Sequence, residues 1–433
     1  MRTRTIALRA ALGAVFLLLA AMIGIATIPL GYQPSLFAAR FHGRAEMAVT
    51  GSGELRAGAA RVELRVPPHG PVAGYPAWRR DDGSGEPLYV RALALEQGPL
   101  SAVLVSLPLL MVPGPLEEEI ARRAGLGAQR CLTVAATHTH AGPGGTWDNL
   151  LVELGGNGLY SSARLDAVAQ AAADAIAQAR ARLAPARVTA SMESWPDGPA
   201  VARSGEIDPS LGAVRLLGEG DRPIASVVLY GMHATVIPRR ARGLSGDWPE
   251  AAAQLLERAS GAPALVLQGA GGNATFSRQG LAPEPRVAAE QLGARVAAFA
   301  IRQLATAPIA PATAPLSCAT HLVSLPQPRA GLAVPWPVRR AAGNLLRLYS
   351  EREAIESTLS LPGLELRGVP GEPSGELGQA SRRASGKPQM LLGLADGYVG
   401  YVESAARWNA AAGESERSWY GPLLAQALGL ESR

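Results

Sequence analysis

What most constrains this chain is the alternation of short apolar runs with longer amphipathic ones, the short runs breaking off into glycine-bearing polar turns. Arg61–Val66, Leu88–Leu95, Ser101–Leu107, Cys131–Ala136, Ile224–Tyr230, Ala264–Leu267 and Met390–Leu394 are four to eight residues long and rich in Val, Leu and Ala, which predicts strands. Ser162–Leu183 places Leu165, Val168, Ala172, Ile176 and Leu183 on one face of a helix. Pro115–Ala124 begins with three acids, which suit the positive end of a helix dipole, and Pro285–Ala305 reads as a third helix. Such a pattern predicts an α/β fold, mixed β-sheets flanked by helices, with chemistry on the loops where strands end. No internal repeat is visible. Proline-rich stretches at Ala307–Pro315 and Leu325–Pro337 are expected seams between subdomains.

Composition narrows the function classes. Hydrophobic residues are 48% of the 433, charged ones 18% and aromatics 5%, which excludes a disordered chain and a multi-span membrane protein. Basic residues outnumber acidic ones 41 to 36, and all but Lys387 are arginine. No basic run is interleaved with aromatics, so the excess reads as a solvated surface and no nucleic-acid partner is expected. Cys131 and Cys318 are the two cysteines; neither lies in a CxxC pair, and whether they bond is open.

The first residues predict the compartment. Arg2, Arg4 and Arg9 precede an uncharged stretch from Ala10 to Leu30, long enough as a helix to span a hydrocarbon core of roughly 30 Å. Arginines before the span favour a cytoplasmic N-terminus and an exported body. The expected organisation is a signal anchor or signal peptide over 1–31, a linker over 32–56 and one domain over 57–433. The body is expected in the periplasm or outside the cell, held at the inner membrane, or secreted if the segment is cleaved.

Three predicted strands run into loops with chemistry. Cys131–Ala136 leads to Thr137-His138-Thr139-His140-Ala141-Gly142-Pro143-Gly144-Gly145. Residues two apart on an extended segment face one side, so His138 and His140 are expected to share a cavity. Two of only six histidines lie in this one HxH, and neutral imidazole is a common zinc ligand. Ile224–Tyr230 leads to Gly231-Met232-His233-Ala234-Thr235, and Asp247 follows as the expected cap of the next helix. Ala264–Leu267 leads to Gln268-Gly269-Ala270-Gly271-Gly272-Asn273-Ala274-Thr275-Phe276. This glycine run lacks a phosphate-loop lysine and reads as backbone donors for an oxyanion, with Thr275 or Asn273 near the reacting centre.

The HTHxGPGG run resembles the zinc-dependent neutral ceramidases, which hydrolyse the amide bond of N-acylsphingosines. The likeness extends in order from about Gly58 to about Pro422: Arg61-Val62-Glu63-Leu64 with Gly74-Tyr75, Met232-His233-Ala234-Thr235 with Ser245-Gly246-Asp247, Gly368-Val369-Pro370-Gly371-Glu372, Gly397-Tyr398-Val399-Gly400-Tyr401 and Trp419-Tyr420-Gly421-Pro422. The resemblance implies a ceramidase-like hydrolase of linear amide bonds acting through a metal-activated water. It implies Zn2+ held by His138, His233, Glu372 and Tyr401, with Tyr398 as the rival to Tyr401. His140 is then the proton shuttle beside the metal, and Arg203 the family's pocket arginine. The implied partners are a ceramide-like lipid amide and the membrane, reached through the N-terminal helix. A different lipid amide or ester, or lipid binding without turnover, are the alternatives.

Three departures from the family pattern bear on this. The family's serine falls on Thr275 and its neighbouring acid on Asn273. The segment between Glu372 and Tyr398 is short, and the family's C-terminal β-sandwich domain is expected to be absent.

Overall fold

The Tyr89–Gln97 strand sends Val90, Ala92 and Ala94 into one apolar cluster and Leu93 and Leu95 into another, as a strand buried on both faces must. The computed structural model describes residues 13–21, 24, 46–75, 79–128, 130–329, 331 and 336–432. In it this strand is the middle of a five-stranded sheet ordered Cys131–Ala136, Leu100–Leu107, Tyr89–Gln97, Arg56–Glu63, Ala184–Pro185. Its Val and Ala face packs against Val168, Ala172 and Ile176 of helix Ser162–Ala181 and against Leu116 and Ile120 of helix Gly114–Arg123.

A second sheet, ordered Ala264–Gln268, Pro223–Tyr230, Ser210–Leu217, Arg187–Ser194, follows the same rule. Val227 and Leu229 join Leu93 and Leu95 in the middle cluster, while Val228 and Tyr230 turn out towards Trp248 and Leu292 of helices Asp247–Ser260 and Pro285–Thr306. The layers are therefore helix, sheet, sheet, helix. A third sheet, Met47–Thr50, Ser317–Ser324, Glu353–Leu361, Leu364–Val369, Gln389–Gly393, contributes Leu359, Leu366 and Leu392 to the middle cluster. Each fully buried Leu or Val is worth about 1.5–3 kcal/mol over an exposed one, so this shared core is what holds the three sheets together.

A disulfide and a buried ion pair are among the ties that cross the layers. Cys131 of the first sheet is disulfide-bonded to Cys318 of the third. Arg91, 2% exposed on the first sheet, meets Glu250 at 2.7 Å and Glu257 at 2.8 Å on the helix that covers the second.

The predicted α/β class with flanking helices is present, with several boundaries moved. The strand expected over Arg61–Val66 is Arg56–Glu63, because its pairing with Tyr89–Gln97 reaches back to Arg56 and Pro67 and Pro68 follow. Met47–Thr50, inside the expected linker, is a strand paired with Ser317–Ser324. Trp336 and Pro337, at the end of an expected seam, begin the Trp336–Tyr349 helix, where a first-turn proline forfeits no helical hydrogen bond. Residues 13–21 are helical, and among the described residues no helix is long and apolar enough to cross a membrane. The rest of the expected N-terminal span lies outside the described residues.

Candidate active site

Cys131–Ala136, Pro223–Tyr230, Ala264–Gln268 and Leu364–Val369 all end towards one place, and each is parallel to a neighbour in its sheet. Carboxyl ends of parallel strands are where α/β proteins place their ligands. The four loops are laced together: Thr139 bridges Ala234, His233 N donates to Ala274 O at 3.3 Å, and Gly272 N donates to Pro373 O at 2.9 Å.

His138 lies in the left-handed region at φ 63°, a conformation that costs a non-glycine residue about 1–3 kcal/mol and concentrates at functional sites. His138 and His140 do face one cavity, with their Nε2 atoms 3.4 Å apart. The cause is this turn after the strand, not the extended alternation expected from the sequence. His233 joins them, and the ligand atoms of the three imidazoles lie within 4.8 Å of one another.

The backbone decides which nitrogen of each ring carries the proton. Nδ1 of His138 lies 2.8 Å from Leu110 O, Nδ1 of His140 2.7 Å from Gly74 O, and Nδ1 of His233 2.9 Å from both Gly271 O and Ala274 O. A carbonyl can only accept, so each Nδ1 is the N–H and each Nε2 is left as a lone pair. Glu372 Oε2 is 3.2 Å from Nε2 of His138 and 3.2 Å from Nε2 of His233. That oxygen is buried and has no hydrogen-bond donor. Nε2 of His138, Nε2 of His233 and Oε2 of Glu372 thus meet as lone pairs with no proton between the carboxylate oxygen and either ring, a contact that repels itself unless a cation sits there. Imidazole and carboxylate are donors suited to zinc, so the residues fit the metal that the resemblance implies.

The rival tyrosines have separate places. Tyr401 Oη is 3.1 Å from His233 Nε2, among the converging atoms. Tyr398 Oη donates instead to Glu372 Oε1 at 2.7 Å, fixing the carboxylate from behind. Glu372–Pro373 and Tyr401–Val402 form a short parallel pair that sets both in register. His140 is closer to the cluster than the resemblance implies: its Nε2 stands among the possible ligand atoms. Arg203 Nη2 donates to Gly272 O at 2.5 Å and lies 3.3 Å from His233 Nε2. Thr275 sits opposite Val201 in the pairing of Ala274–Phe276 with Ala200–Ala202, and no hydrogen bond described at the site uses its hydroxyl.

The glycine loop does not donate as expected. The amides of Gly269, Gly271, Gly272 and Ala274 are each spent on a carbonyl, and the loop turns the carbonyls of Gly271 and Gly272 to His233 and Arg203. Asn273, fully buried, donates to Ser204 O and Glu206 O and accepts from Gly375 N, pinning three segments instead of meeting a substrate. Asp247 is the first residue of its helix and Gly246 the cap position; the Asp247 carboxylate accepts from Ile237 N and Trp248 N.

Burial sets the charges. It pushes His233 down to about 4 and, with the neighbouring His138 and His233, pushes His140 well below 6.5, so both rings are neutral at pH 7. Burial and the Glu372 charge push the phenols of Tyr398 and Tyr401 well above 10.

Glu414, Arg417 and Trp419 also surround the site, and the sequence offered little sign of the first two. Glu414 pairs with Arg203 at 3.2 Å and with Arg417 at 2.8 Å, and the Arg417 guanidinium lies 5.8 Å from the Tyr401 ring centre. Their i,i+3 spacing is the one local signal, and it is common on surfaces.

This is an α/β protein with a candidate metal site of histidines and a glutamate at the carboxyl ends of its strands. Residues 73–319, more than half of the chain, match the family described as neutral/alkaline non-lysosomal ceramidase, N-terminal, and the chain belongs to that family. It is accordingly a hydrolase of linear amide bonds of the ceramidase type. No curated protein matches it. Among solved structures it is similar to the neutral ceramidase from Pseudomonas aeruginosa, with a TM-score of 0.74 and 18% identity over 87% of this chain and 73% of that one. A ceramidase complexed with C2 gives a TM-score of 0.72 and 17% identity, also over 87% and 73%. At these identities the likeness carries the fold.

Proposed function

We propose that the chain is a zinc-dependent amidohydrolase that cleaves N-acylsphingosine or a closely related lipid amide. The observation that carries this is the meeting of His138 Nε2 and His233 Nε2 at the donorless Glu372 Oε2, with the His140 imidazole beside them. His138, His233, Glu372 and Tyr401 would hold the ion, with His140 beside it. When bound, zinc polarises a carbonyl and makes water a stronger acid near neutral pH.

The chain's own residues do the rest. His140, neutral and anchored through Nδ1 to Gly74 O, offers Nε2 to take the proton of the attacking water and return it to the leaving amine. Arg203 donates to the oxyanion as the carbonyl becomes tetrahedral. Tyr398 fixes Glu372 so that Oε2 keeps its direction. The Tyr398 ring also borders a small cavity lined by Trp147, Asn149, Val152, Glu351 and Trp419.

The protein is exported, its body tethered by the N-terminal segment or released after cleavage; a buried Cys131–Cys318 bond suits an oxidising compartment. Residues 57–433 act as one hydrolase domain. The test is hydrolysis of N-acylsphingosine with elemental analysis alongside: activity should vanish on chelation, return with zinc, and be absent from His138→Ala/His233→Ala. Full activity in that double variant sinks the metal mechanism. A panel of lipid amides and esters settles the substrate, and turnover of esters alone would replace the lipid-amide assignment.

A further inference from the structure

Arg203 uses Nη2 for its contacts with Gly272 O, His233 Nε2 and Glu414 Oε1, and its guanidinium also borders the Tyr401 hydroxyl, at the edge of the cluster. Taking the site to be the amidohydrolase centre proposed above, we propose that Glu414 is a positioning residue. Its carboxylate locks Nη2 of Arg203 inward and so holds the guanidinium at the edge of the cluster for the substrate's carbonyl oxygen.

Three observations argue for this over a surface ion pair. The Glu414 side chain is only 11% exposed, and its two oxygens are divided between two arginines, Oε1 to Arg203 and Oε2 to Arg417. An i,i+3 pair with Arg417 alone would be worth a few tenths of a kcal/mol. Second, both arginines border Tyr401, so Glu414 balances positive charge on both sides of that ring, beside a site built for a further cation. Third, Glu414 is itself held. Its amide donates to Oε1 of Glu403 at 2.9 Å, and Glu403, 1% exposed, pairs with Arg407 at 3.1 Å. Arg407 reaches Ser204 Oγ at 3.1 Å and Glu376 at 3.0 Å, and Glu376 accepts from Glu206 N at 3.2 Å. The wall over 403–417 is thus bolted to the loop that follows Arg203, and Glu414 is the bolt that reaches the guanidinium.

The test compares the parent with Glu414→Gln, Glu414→Asp, Arg203→Met and Glu414→Gln/Arg203→Met, all zinc-loaded. For each, kcat and KM for N-acylsphingosine, laurate affinity by calorimetry, metal content and melting temperature are measured. Arg203→Met should lower kcat about 10²-fold, as loss of an oxyanion donor does. Glu414→Gln should lower kcat about tenfold with little change in KM, and Glu414→Asp should recover part of that loss. The double variant should match Arg203→Met alone, since Glu414 has nothing left to position, and laurate affinity should follow the same pattern. Losses that multiply in the double variant, or a Glu414→Gln protein that sheds metal and melts early with Glu414→Asp no better, overturn the assignment. A parent that hydrolyses no lipid amide refutes the proposed function, and the laurate series then decides the Glu414 assignment alone. A parent that binds no laurate overturns it as well.

Discussion

His233 shows how one side chain can be given two fixed tasks. Its Nδ1 is committed to the carbonyls of Gly271 and Ala274, so its Nε2 faces Glu372 and Tyr401 without a proton. Burial lowers its pKa from 6.5 to about 4, and the sign of the consequence follows from that direction. Between those values the unfolded chain binds the proton and the folded one does not, so the metal-free fold is destabilised as pH falls from 6.5 towards 4. The loss should be about 3 kcal/mol, read from urea titrations at graded pH, and His233→Gln should flatten the slope. Zinc retention in equilibrium dialysis should collapse in the same direction, as the imidazole protonates below about 4. Stability that rises on acidification through this window would contradict the assigned environment. Tyr398 gives a second residue-scale prediction. Tyr398→Phe removes the only donor described for Glu372 Oε1 without touching the converging atoms, so zinc should remain bound with affinity reduced about 10-fold, as for other partners behind a ligand. Tyr401→Phe, which removes an atom from the cluster itself, should weaken zinc further.

At the scale of elements, the turn holding Gly74 matters as much as the ligands it never touches. Gly74 lies at φ 104°, and a Cβ there would come within 2.4 Å of His140 Cα. Gly74→Ala must therefore move the turn or the histidine, and His140 loses the carbonyl that fixes its tautomer. We expect a drop in kcat of about 10²-fold or more with zinc content near that of the parent. This turn was visible in the sequence only through resemblance, whereas His138 and His140 were visible from the residues as an HxH after an apolar strand; His233 shares that position, but only the resemblance made it a ligand. Most strands with both faces buried were legible because their Val and Leu runs have no other use, although Ser210–Leu217, buried on both faces, was missed. Ser317–Ser324 was missed because polar residues lie on both of its faces and its partners are distant in sequence. The glycine loop misled for a related reason: a run of glycines shows that backbone is close to something, but not whether N–H or C=O points at it. Glu414 was hidden because its contact with Arg203 exists only once two distant segments meet.

Across the whole molecule, the site draws one converging side chain from each of three sheets. His138 follows a strand of the first, His233 a strand of the second and Glu372 a strand of the third, so the geometry is only as firm as the packing between sheets. The middle cluster supplies most of that firmness without direction, and the polar ties supply registration. Arg91→Met would strand Glu250 in a buried setting and leave Glu257 to Arg61 alone, and should cost about 3–5 kcal/mol in denaturant unfolding while leaving the sheet core intact. The disulfide acts differently. Cys131 begins the strand that leads to His138, and Cys318 lies in the third sheet, 187 residues away in sequence. A crosslink over so long a loop restricts the unfolded chain strongly, so Cys131→Ala/Cys318→Ala should lose about 2–5 kcal/mol. Both sulfurs are buried among Leu, Val and Ala, so the reduced pair can pack in place and the native sheets need not shift. The expected signature is therefore a lower melting temperature with zinc affinity and kcat close to the parent's at 25 °C. If zinc affinity fell in step with stability, the bond would be aligning the first sheet with the third, and the ligand geometry would depend on the oxidised state of the protein.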